Sequence, residues 1–280
     1  MKDVMNVEVL LKKHANASNI RDIRRMIAHL KGISYENVFF HGDELFISPE
    51  EYDHFLGMLS RYEKNEPVSK IIQKKFFWKH EFFVNENVLD PRPETELIIE
   101  AVLQHFNPDD PLRFLDLGTG SGCILLSLLY EFKKSTGLGI DISEKALEVA
   151  VCNRQALGID GATFQKANWN DPWDIELASL DVIVSNPPYI KNRDMALLDE
   201  NVRKYDPLEA LDGGNNGLDA YVRIAATSPE FMKKNGMIFL EIGCDQADDV
   251  THLLSINGYE NISTLKDLQM LDRVVCGSRR

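Results

Sequence analysis

Four consecutive residues, Asn186, Pro187, Pro188 and Tyr189, carry the clearest signal for chemistry in this 280-residue chain. The two prolines fix φ and lack an N–H group, so their carbonyls cannot continue a helix or a sheet ladder and must face another partner. Asn186 adds one side-chain acceptor and one NH₂ donor, and Tyr189 adds a flat face. The group suits a planar target with an –NH₂ whose two hydrogens need two acceptors.

The apolar run of residues 181–185, directly before this tetrapeptide, has the length and the β-branched content of a buried strand. The tetrapeptide is therefore predicted at the carboxyl end of that strand, where open α/β sheets hold their ligands. An Asn-Pro-Pro sequence can equally be a turn that only ends a strand. A second signal upstream favours the binding interpretation.

That second signal is a glycine-rich turn between a strand predicted to begin at Arg113 and an apolar helix predicted to begin at Cys123. Strand, glycine turn and helix form the first unit of a doubly wound nucleotide-binding fold, in which glycines let a ligand approach the backbone. A dinucleotide-binding fingerprint would have its third glycine at position 123, where this chain has cysteine. The spacing of Gly118, Gly120 and Gly122 favours a nucleoside without phosphates.

Two further residues extend this nucleoside site. Asp141 ends the next predicted strand about twenty residues later, and a carboxylate at this position can accept hydrogen bonds from both ribose hydroxyls. Trp169 follows a third predicted strand at 162–167, whose end lies beside the glycine turn in this topology. The indole could lie against an adenine or be buried filler, and the sequence leaves both open.

Charge restricts the class of partner. The formal net charge is −13, and residues 1–90 carry 13 Lys and Arg against 14 Asp and Glu, whereas residues 91–280 carry 18 against 30. Because proteins grip a phosphate backbone with Lys and Arg, the second part would repel nucleic acid. Stable nucleic-acid binding is not expected, although the first part alone does not exclude it.

The four cysteines are far apart and none has Cys-x-x-Cys spacing, so neither a zinc site nor a disulfide framework is indicated. The histidines of the first 62 residues are likewise scattered, and no metal is expected. The amino terminus lacks the apolar segment of a signal peptide, and no stretch approaches a membrane span. We expect a cytoplasmic protein with reduced thiols and no membrane partner.

Composition along the chain predicts three parts. Residues 1–66 are predicted to form a helical domain, with one helix from an N-cap at Ser18 to Gly32 and a second behind a capping box at Ser48. Residues 67–90, aromatic-rich with a turn-like middle, are predicted to form a β-hairpin linker. Residues 91–280 are predicted to form an α/β domain, with helices at 97–106, 143–157, 217–234 and 246–256, and late strands at 237–242, 259–265 and 272–277. The polar stretch 190–216 is long for a loop, and such loops are often functional covers.

Taken together, these motifs resemble the class I S-adenosylmethionine-dependent methyltransferases. The segment Pro91-Arg-Pro-Glu-Thr-Glu96, with Glu66-Pro67 before it and Phe77-Trp78 between, narrows the resemblance to the peptide chain release factor N5-glutamine methyltransferases. The likeness runs from about Glu66 to the carboxyl terminus, and the helical first part is compatible with it. The resemblance implies a Rossmann-like sheet of seven strands, mostly parallel with one antiparallel, behind a small helical amino-terminal domain.

The same resemblance implies the partners and the role of each residue. The substrate would be the glutamine of the Gly-Gly-Gln motif in class 1 peptide chain release factors, docked by the helical domain and the hairpin. S-adenosyl-L-methionine would be bound through Asp141, Trp169 and Asn186 together with the glycine turn, whose residues are Gly118, Thr119, Gly120, Ser121 and Gly122. Asn186 and Pro187 would hold the target amide, with Pro188 and Tyr189 beside it, in an enzyme expected to be a monomer.

Two positions depart from the family pattern. Asp90 stands where an apolar residue is usual, which could alter packing at the mouth of the site, and Asn168 replaces the usual acid before Trp169, which could weaken a cofactor contact. The strongest alternative is a nucleic-acid amino-methyltransferase acting on adenine N6 or guanine N2, because an exocyclic –NH₂ poses the same hydrogen-bonding problem. Such an enzyme must extrude its base and hold nearby phosphates, which the acidity of this chain disfavours.

Overall fold

The computed structural model describes residues 4–168, 173 and 175–280. Contacts divide the chain into two compact units, Met1–Gln73 and Lys74–Arg280. The sequence predicts three domains that are defined by their roles, at residues 1–66, 67–90 and 91–280. Contacts do not report roles, so this division stays a prediction.

The first unit is helical and encloses its own apolar core. Leu10, Ile23, Met26, Ile27 and Phe55 are completely buried in it. A two-residue antiparallel ladder supplements the helices, pairing β1 with β2. The elements are β1 (Met5–Asn6), α1 (Val7–His14), α2 (Ile20–Lys31), α3 (Tyr35–His41), β2 (Phe46–Ile47), α4 (Pro49–Tyr62) and α5 (Val68–Ile72).

Local sequence signals predict the starts and ends of these helices correctly, with one exception. The capping box is confirmed: Ser48 Oγ accepts from the Glu51 backbone N–H at 3.1 Å, and Glu51 returns a bond to the Ser48 N–H at 2.7 Å. Gly32 ends α2 with a φ of 62° as predicted. Ser18 as the N-cap is wrong, because Asn19 takes that position while the Asn16 side chain accepts from the Ser18 hydroxyl.

The second unit begins with the predicted hairpin, which is shorter than the predicted range of 67–90. Strands β3 (Lys74–Phe77) and β4 (His80–Phe83) pair in antiparallel register. The preceding residues form helix α5 in the first unit instead, since their apolar side chains Val68, Ile71 and Ile72 complete its core.

A seven-stranded sheet dominates the second unit, in the order β10-β11-β9-β8-β5-β6-β7. Strand β11 is antiparallel to both of its neighbours, and the other adjacent pairs are parallel. The predicted Rossmann-like sheet with one antiparallel strand is confirmed. The strands are β5 (Arg113–Leu117), β6 (Thr136–Asp141), β7 (Ala162–Lys166), β8 (Leu180–Ser185), β9 (Met232–Glu241), β10 (Tyr259–Lys266) and β11 (Asp272–Arg279).

The central strands of this sheet, such as β5 and β8, are buried on both faces, as their apolar sequences predict. In β8, Val182 and Val184 lie in the core on one face, and Ile183 lies in the core on the other. The helices between the strands are α6 (Glu96–His105), α7 (Cys123–Glu131), α8 (Glu144–Leu157), α9 (Glu200–Tyr205), α10 (Asp219–Thr227) and α11 (Ala247–Ile256). Across the described part of the chain, no helix has both the length and the apolar character that a membrane crossing requires.

The helix predicted at 217–234 is too long. Helix α10 ends at Thr227, a short 3₁₀ turn covers Ser228–Glu230, and β9 begins at Met232. The sequence pattern after Thr227 remains compatible with a helix. The chain from Met232 onward instead pairs with β8 and forms part of the sheet.

Strand β6 is pressed against the glycine turn at Gly139, which predicts a sharp stability effect. A Cβ at Gly139 would lie 2.7 Å from the Phe164 ring and 2.8 Å from Thr119 Oγ1. We expect Gly139→Ala to lower the free energy of unfolding by about 1–3 kcal/mol, the usual cost of overpacking. Urea unfolding followed by far-UV circular dichroism, which reports on the helices of both units, measures it.

The control is Gly57→Ala in α4, where none of the described residues comes within 4 Å of the new methyl group. Alanine is the better helix former, so this change should stabilise the first unit by roughly 0.5–1 kcal/mol. A Gly139→Ala protein that unfolds at the wild-type urea concentration would show that the turn can retreat from β6.

Candidate active site

Four parallel strands bring the site together because their carboxyl ends meet at one edge of the sheet. The glycine turn follows β5, Asp141 ends β6, Asn186 follows β8 and Glu241 ends β9. Strand β5 is hydrogen-bonded to both β6 and β8, so the chain winds outward from it in both directions. Ligands bind at such a switch point in open α/β sheets. A cavity of about 570 Å³ lies there.

The glycine turn forms the floor of this cavity. Gly118, Gly120 and Gly122 have φ values of 72°, 53° and 78°, a backbone conformation that side chains disfavour. The N–H groups of Gly118 and Thr119 both donate to the Ile140 carbonyl, at 2.9 and 3.0 Å. These bonds fasten the turn to β6.

Asp141 links the glycine turn to the start of helix α8. Its Oδ2 accepts from the Gly120 N–H, and its Oδ1 accepts from the Ser143 N–H, both at 2.9 Å. Burial raises the pKa of the Asp141 carboxyl, and these backbone N–H groups oppose the rise. Since an ionised carboxylate offers about four acceptor sites, Asp141 retains capacity toward the cavity that it lines.

The Asn-Pro-Pro-Tyr segment borders two adjoining cavities. Asn186 and Pro188 line the large one, and Asn186 and Tyr189 line a smaller one of about 110 Å³. The Asn186 side chain donates from Nδ2 to Thr95 Oγ1 at 3.1 Å. Within the described residues no donor reaches Asn186 Oδ1, so this oxygen remains an acceptor at the junction of the cavities.

Two side chains hold this segment in place from behind. Ser185 Oγ donates to the Leu117 carbonyl at 2.6 Å, which ties the end of β8 to the end of β5. Gln246 Nε2 donates to the carbonyls of Tyr189 and Gly217, at 3.2 and 2.9 Å. The backbone around residues 185–189 is therefore fixed independently of any ligand.

The predicted cover at 190–216 is fastened to the segment that precedes α6. Asp206 is buried, and its carboxylate accepts from Arg92 Nη2 at 2.7 Å and from the Asp90 N–H at 3.2 Å. Arg92 lines both cavities. Asp90, which departs from the family pattern, is buried and pairs with Lys75 at 3.0 Å. A charge at position 90 is thus neutralised locally.

Two buried carboxyl groups at this edge have strongly raised pKa values. Burial raises the pKa of Asp116 to about 7, against a hydrogen bond from the Thr119 hydroxyl to Asp116 Oδ2 at 2.6 Å. Burial likewise raises the pKa of Glu241 to about 7, against hydrogen bonding with Thr95 and Asn186. Strongly shifted pKa values are common at functional sites, because burial and charged neighbours there adjust the pKa of a group to its task.

The structure brings most of the predicted residues to the large cavity. Its lining includes Gly118, Thr119, Gly120, Ser121, Asp141, Asn186 and Pro188. Pro187 is buried beside them, and Gly122 packs against α8 and β7 instead. Trp169 lies outside the described residues. The roles assigned to these residues stay predictions.

Two residues of this region were not predicted. Thr95 lies in the motif on which the resemblance rests, but nothing in the sequence indicates a contact with Asn186, which is 91 residues away. Glu241 ends a strand with an acid, the same signal that drew attention to Asp141. Applied to every strand, that signal could have found it.

Known proteins confirm the class of protein that the fold indicates. A model described as a methyltransferase domain matches residues 108–220, and a model described as the PrmC N-terminal domain matches residues 5–72. A methyltransferase of known structure from Pyrococcus furiosus has a TM-score of 0.53 and 15% identity, over 80% of this chain and 98% of that one. At that identity the likeness concerns the fold alone. The fold is that of a methyltransferase.

Relatives at higher identity define the family. A release factor glutamine methyltransferase from Rhodospirillum rubrum is 40% identical over 261 residues, 93% of this chain and 79% of that protein. Another from Caulobacter vibrioides is 42% identical over 233 residues, 82% of this chain and 80% of that protein. The chain belongs to the release factor glutamine methyltransferase family. It is an S-adenosyl-L-methionine-dependent methyltransferase.

The large cavity fits this cofactor. Its volume of about 570 Å³ is in the range of small-molecule sites. No described residue lies within 4 Å of the position where a Gly120 side chain would stand, so this part of the structure leaves the backbone open to a ligand. Asp141 supplies acceptors for hydroxyl groups, and the apolar side chains Ile142 and Ala167 supply walls.

These contacts predict a selective loss of cofactor binding. We expect Asp141→Ala to weaken S-adenosyl-L-methionine binding at least tenfold, because a hydrogen bond to a charged group contributes about 1.5–3 kcal/mol. Isothermal titration calorimetry measures it. Glu144→Ala, which removes the exposed carboxylate three residues along, is the control and should bind as wild type. Unchanged affinity of Asp141→Ala would exclude Asp141 from the cofactor site.

Proposed function

We propose that this enzyme transfers a methyl group from S-adenosyl-L-methionine to the side-chain amide nitrogen, N5, of the glutamine in the Gly-Gly-Gln motif of class 1 peptide chain release factors. The observation that carries the proposal is the orientation of Asn186. Its NH₂ group donates to Thr95, which leaves Oδ1 as an acceptor at the junction of the two cavities. An acceptor in that place suits a target that offers N–H groups.

Asn186 and Pro187 hold the glutamine carboxamide by its two N–H groups. The Asn186 Oδ1 atom accepts one hydrogen, and the Pro187 backbone carbonyl accepts the other. An amide nitrogen is a poor nucleophile because its lone pair is delocalised, so fixing its position and direction is the main task of the enzyme. The same two acceptors stabilise the positive charge that develops on the nitrogen as the S–CH₃ bond breaks and the N–CH₃ bond forms. The nitrogen then releases one of its two protons, so a strong base is not required.

When bound, S-adenosyl-L-methionine supplies a methyl group on a positively charged sulfur, which is strongly electrophilic. The glycine turn from Gly118 to Gly122 and Asp141 hold the cofactor in the large cavity, with Trp169 assigned to the adenine from sequence alone. Pro188 borders the same cavity, and Tyr189 contacts the target amide from the smaller one. Burial raises the pKa of Tyr189, so the phenol stays neutral.

The cover at 190–216 excludes water from the reacting atoms. Its buried Asp206 holds it to Arg92, which lies at both cavities. Removing water strengthens the hydrogen bonds that the two carbonyl acceptors make to the amide.

We assign the helical domain 1–66, with the hairpin, to docking of the release factor. In this domain Phe39, Phe40 and Phe46 are 49%, 69% and 51% exposed, which is unusual for large aromatic side chains. Exposed aromatic residues are enriched where proteins bind one another. The partner of this surface is a protein, and the formal net charge of −13 disfavours stable nucleic-acid binding.

We also propose that the enzyme is a cytoplasmic monomer. Its four cysteines, Cys123, Cys152, Cys244 and Cys276, are free, as thiols are in a reducing compartment. Light scattering coupled to size-exclusion chromatography tests the monomer, for which the mass is 31.9 kDa.

A substrate panel tests the proposed function. Tritiated S-adenosyl-L-methionine is offered with a purified class 1 release factor, tRNA, ribosomal RNA and DNA in parallel reactions. Label should enter the release factor, and a Gln→Ala change in its Gly-Gly-Gln motif should abolish incorporation. Label in nucleic acid instead would support an adenine or guanine amino-methyltransferase.

The mechanism predicts that Asn186→Ala lowers kcat at least about 100-fold, since misplacing the amide removes the alignment on which the reaction depends. Cofactor affinity should stay within a few-fold. Single-turnover methylation and calorimetry measure the two effects separately. An Asn186→Ala enzyme with wild-type turnover would remove Asn186 from the mechanism.

A further inference from the structure

A buried carboxyl group stands beside Asn186 without an obvious structural reason. Glu241 is 1% exposed, lines the smaller cavity with Asn186 and Tyr189, and has one oxygen, Oε2, that no described residue hydrogen-bonds. Burying a carboxyl group in this way costs free energy. Glu241 ends β9, and Asn186 directly follows the neighbouring strand β8. This position indicates that the buried carboxyl group has a function in the site.

Thr95 connects this carboxyl group to Asn186. Its hydroxyl accepts from Asn186 Nδ2 at 3.1 Å. Thr95 and Asn186 both lie close enough to Glu241 for hydrogen bonding to lower the pKa of that carboxyl. Thr95 is itself buried, in the 3₁₀ turn Pro93–Thr95.

Hydrogen-bond polarity then follows from the donor inventory. An ionised carboxylate only accepts, so in a hydrogen bond between Thr95 and Glu241 the Thr95 O–H is the donor. The lone pair left on Thr95 Oγ1 can only accept, so Asn186 must turn its NH₂ toward Thr95. Its carbonyl oxygen must then point the other way. Because the two ends of a carboxamide have nearly the same shape, packing alone does not make this choice.

We infer that Glu241, acting through Thr95, is a positioning residue that fixes the orientation of the Asn186 carboxamide and so keeps Oδ1 turned toward the target amide. The inference rests on the proposed function, in which Asn186 receives an N–H of the substrate. Glu241 itself does not touch the reacting atoms.

The charged residues around Glu241 do not replace Thr95 and Asn186 as its hydrogen-bonding partners. The charge of Arg273 lowers the pKa of Glu241, but its guanidinium donates to Asp267 at 3.1 and 3.3 Å and to the Ile242 carbonyl. The other titratable or charged groups that act on Glu241 or on its immediate neighbours are Arg92, Glu94, Cys123, Tyr189 and Tyr221.

Protonation of Glu241 should reverse the polarity. A protonated carboxyl can donate to Thr95, which frees the Thr95 O–H to donate to Asn186 and lets the carboxamide turn over. The pKa of Glu241 is raised to about 7, so the productive orientation is present above that pH and lost as the pH falls through it. Asp116 also has a pKa of about 7, so the pH profile must be assigned with variants.

The kinetic test measures kcat and KM between pH 5.5 and 8.5 with a purified release factor. Wild-type kcat should fall about tenfold per pH unit below pH 7. Glu241→Gln should lower kcat at pH 8 by about 10- to 100-fold, with KM for both substrates little changed, and should abolish the acid limb. The matched control Glu100→Gln, on the exposed face of α6, should keep both the rate and the limb.

Variants of Thr95 separate this role from direct proton acceptance by Glu241. Thr95→Val removes the hydroxyl at nearly constant shape and should lower kcat as Glu241→Gln does, whereas Thr95→Ser should restore it. Wild-type kcat in Thr95→Val would overturn the inference. So would a Glu241→Gln enzyme with wild-type kcat and an unchanged pH profile.

A second readout does not need the protein substrate. The side-chain ¹⁵N–¹H signal of Asn186, assigned by its loss in Asn186→Asp, should shift with pH around 7 in wild type and stay constant in Glu241→Gln. If this signal responds as expected while the release factor is not methylated, the proposed function fails, and of the inference only the control of the Asn186 orientation by Glu241 is supported. A signal that ignores both pH and Glu241→Gln overturns the inference whatever the substrate.

Discussion

The architecture depends on one constraint: parallel strands with both faces buried must end at a common edge. Strand β5 pairs with β6 on one side and β8 on the other, and β9 follows β8. Their carboxyl ends therefore place residues far apart in sequence around one cavity, where crossovers leave in opposite directions. Burial of both faces fixes the register, because a slip of one residue would turn each strand's apolar side chains to the wrong face.

That edge concentrates acidic groups, and each is stabilised differently. Asp141 receives backbone N–H groups from Gly120 and Ser143. Asp116 receives the Thr119 hydroxyl on one oxygen. Glu241 depends on side chains: Thr95, the charge of Arg273, and Asn186. Rigid backbone donors suit a group that must remain ionised to hold a ligand, whereas a side-chain relay can respond to the protonation of its acid.

The Asn-Pro-Pro-Tyr segment is held in place on several sides before any ligand arrives. Gln246 Nε2 donates to the Tyr189 carbonyl, and the Ile190 N–H donates to the Leu211 carbonyl. A side chain at Gly213 would come within 2.7 Å of the Tyr189 Cα atom, so glycine is required for this close approach. The backbone is therefore preorganised, and only the rotation of the Asn186 carboxamide remains to be set by its neighbours.

The sequence alone determined the local features of this protein. The capping box at Ser48, the stop at Gly32 and the strand before Asn186 each follow from a few adjacent residues, whose hydrogen-bonding and torsional preferences act over short range. The motif residues sufficed to identify the fold class and the family. After Thr227 the local sequence favours a helix, but the chain goes on to pair with β8. The predicted helix is too long because the local sequence does not show which strand a segment will pair with.

Only the tertiary structure decided which distant groups meet. Thr95 and Asn186 are 91 residues apart, and neither carries a signal for the other. Glu241 reaches them because β9 lies beside β8 in the sheet, and its carboxyl group is buried because the end of β9 is covered on both faces. Residue type supplies the donors and acceptors. Their pairing and their raised pKa values arise from proximity and from the exclusion of water, which exist only once the chain has folded.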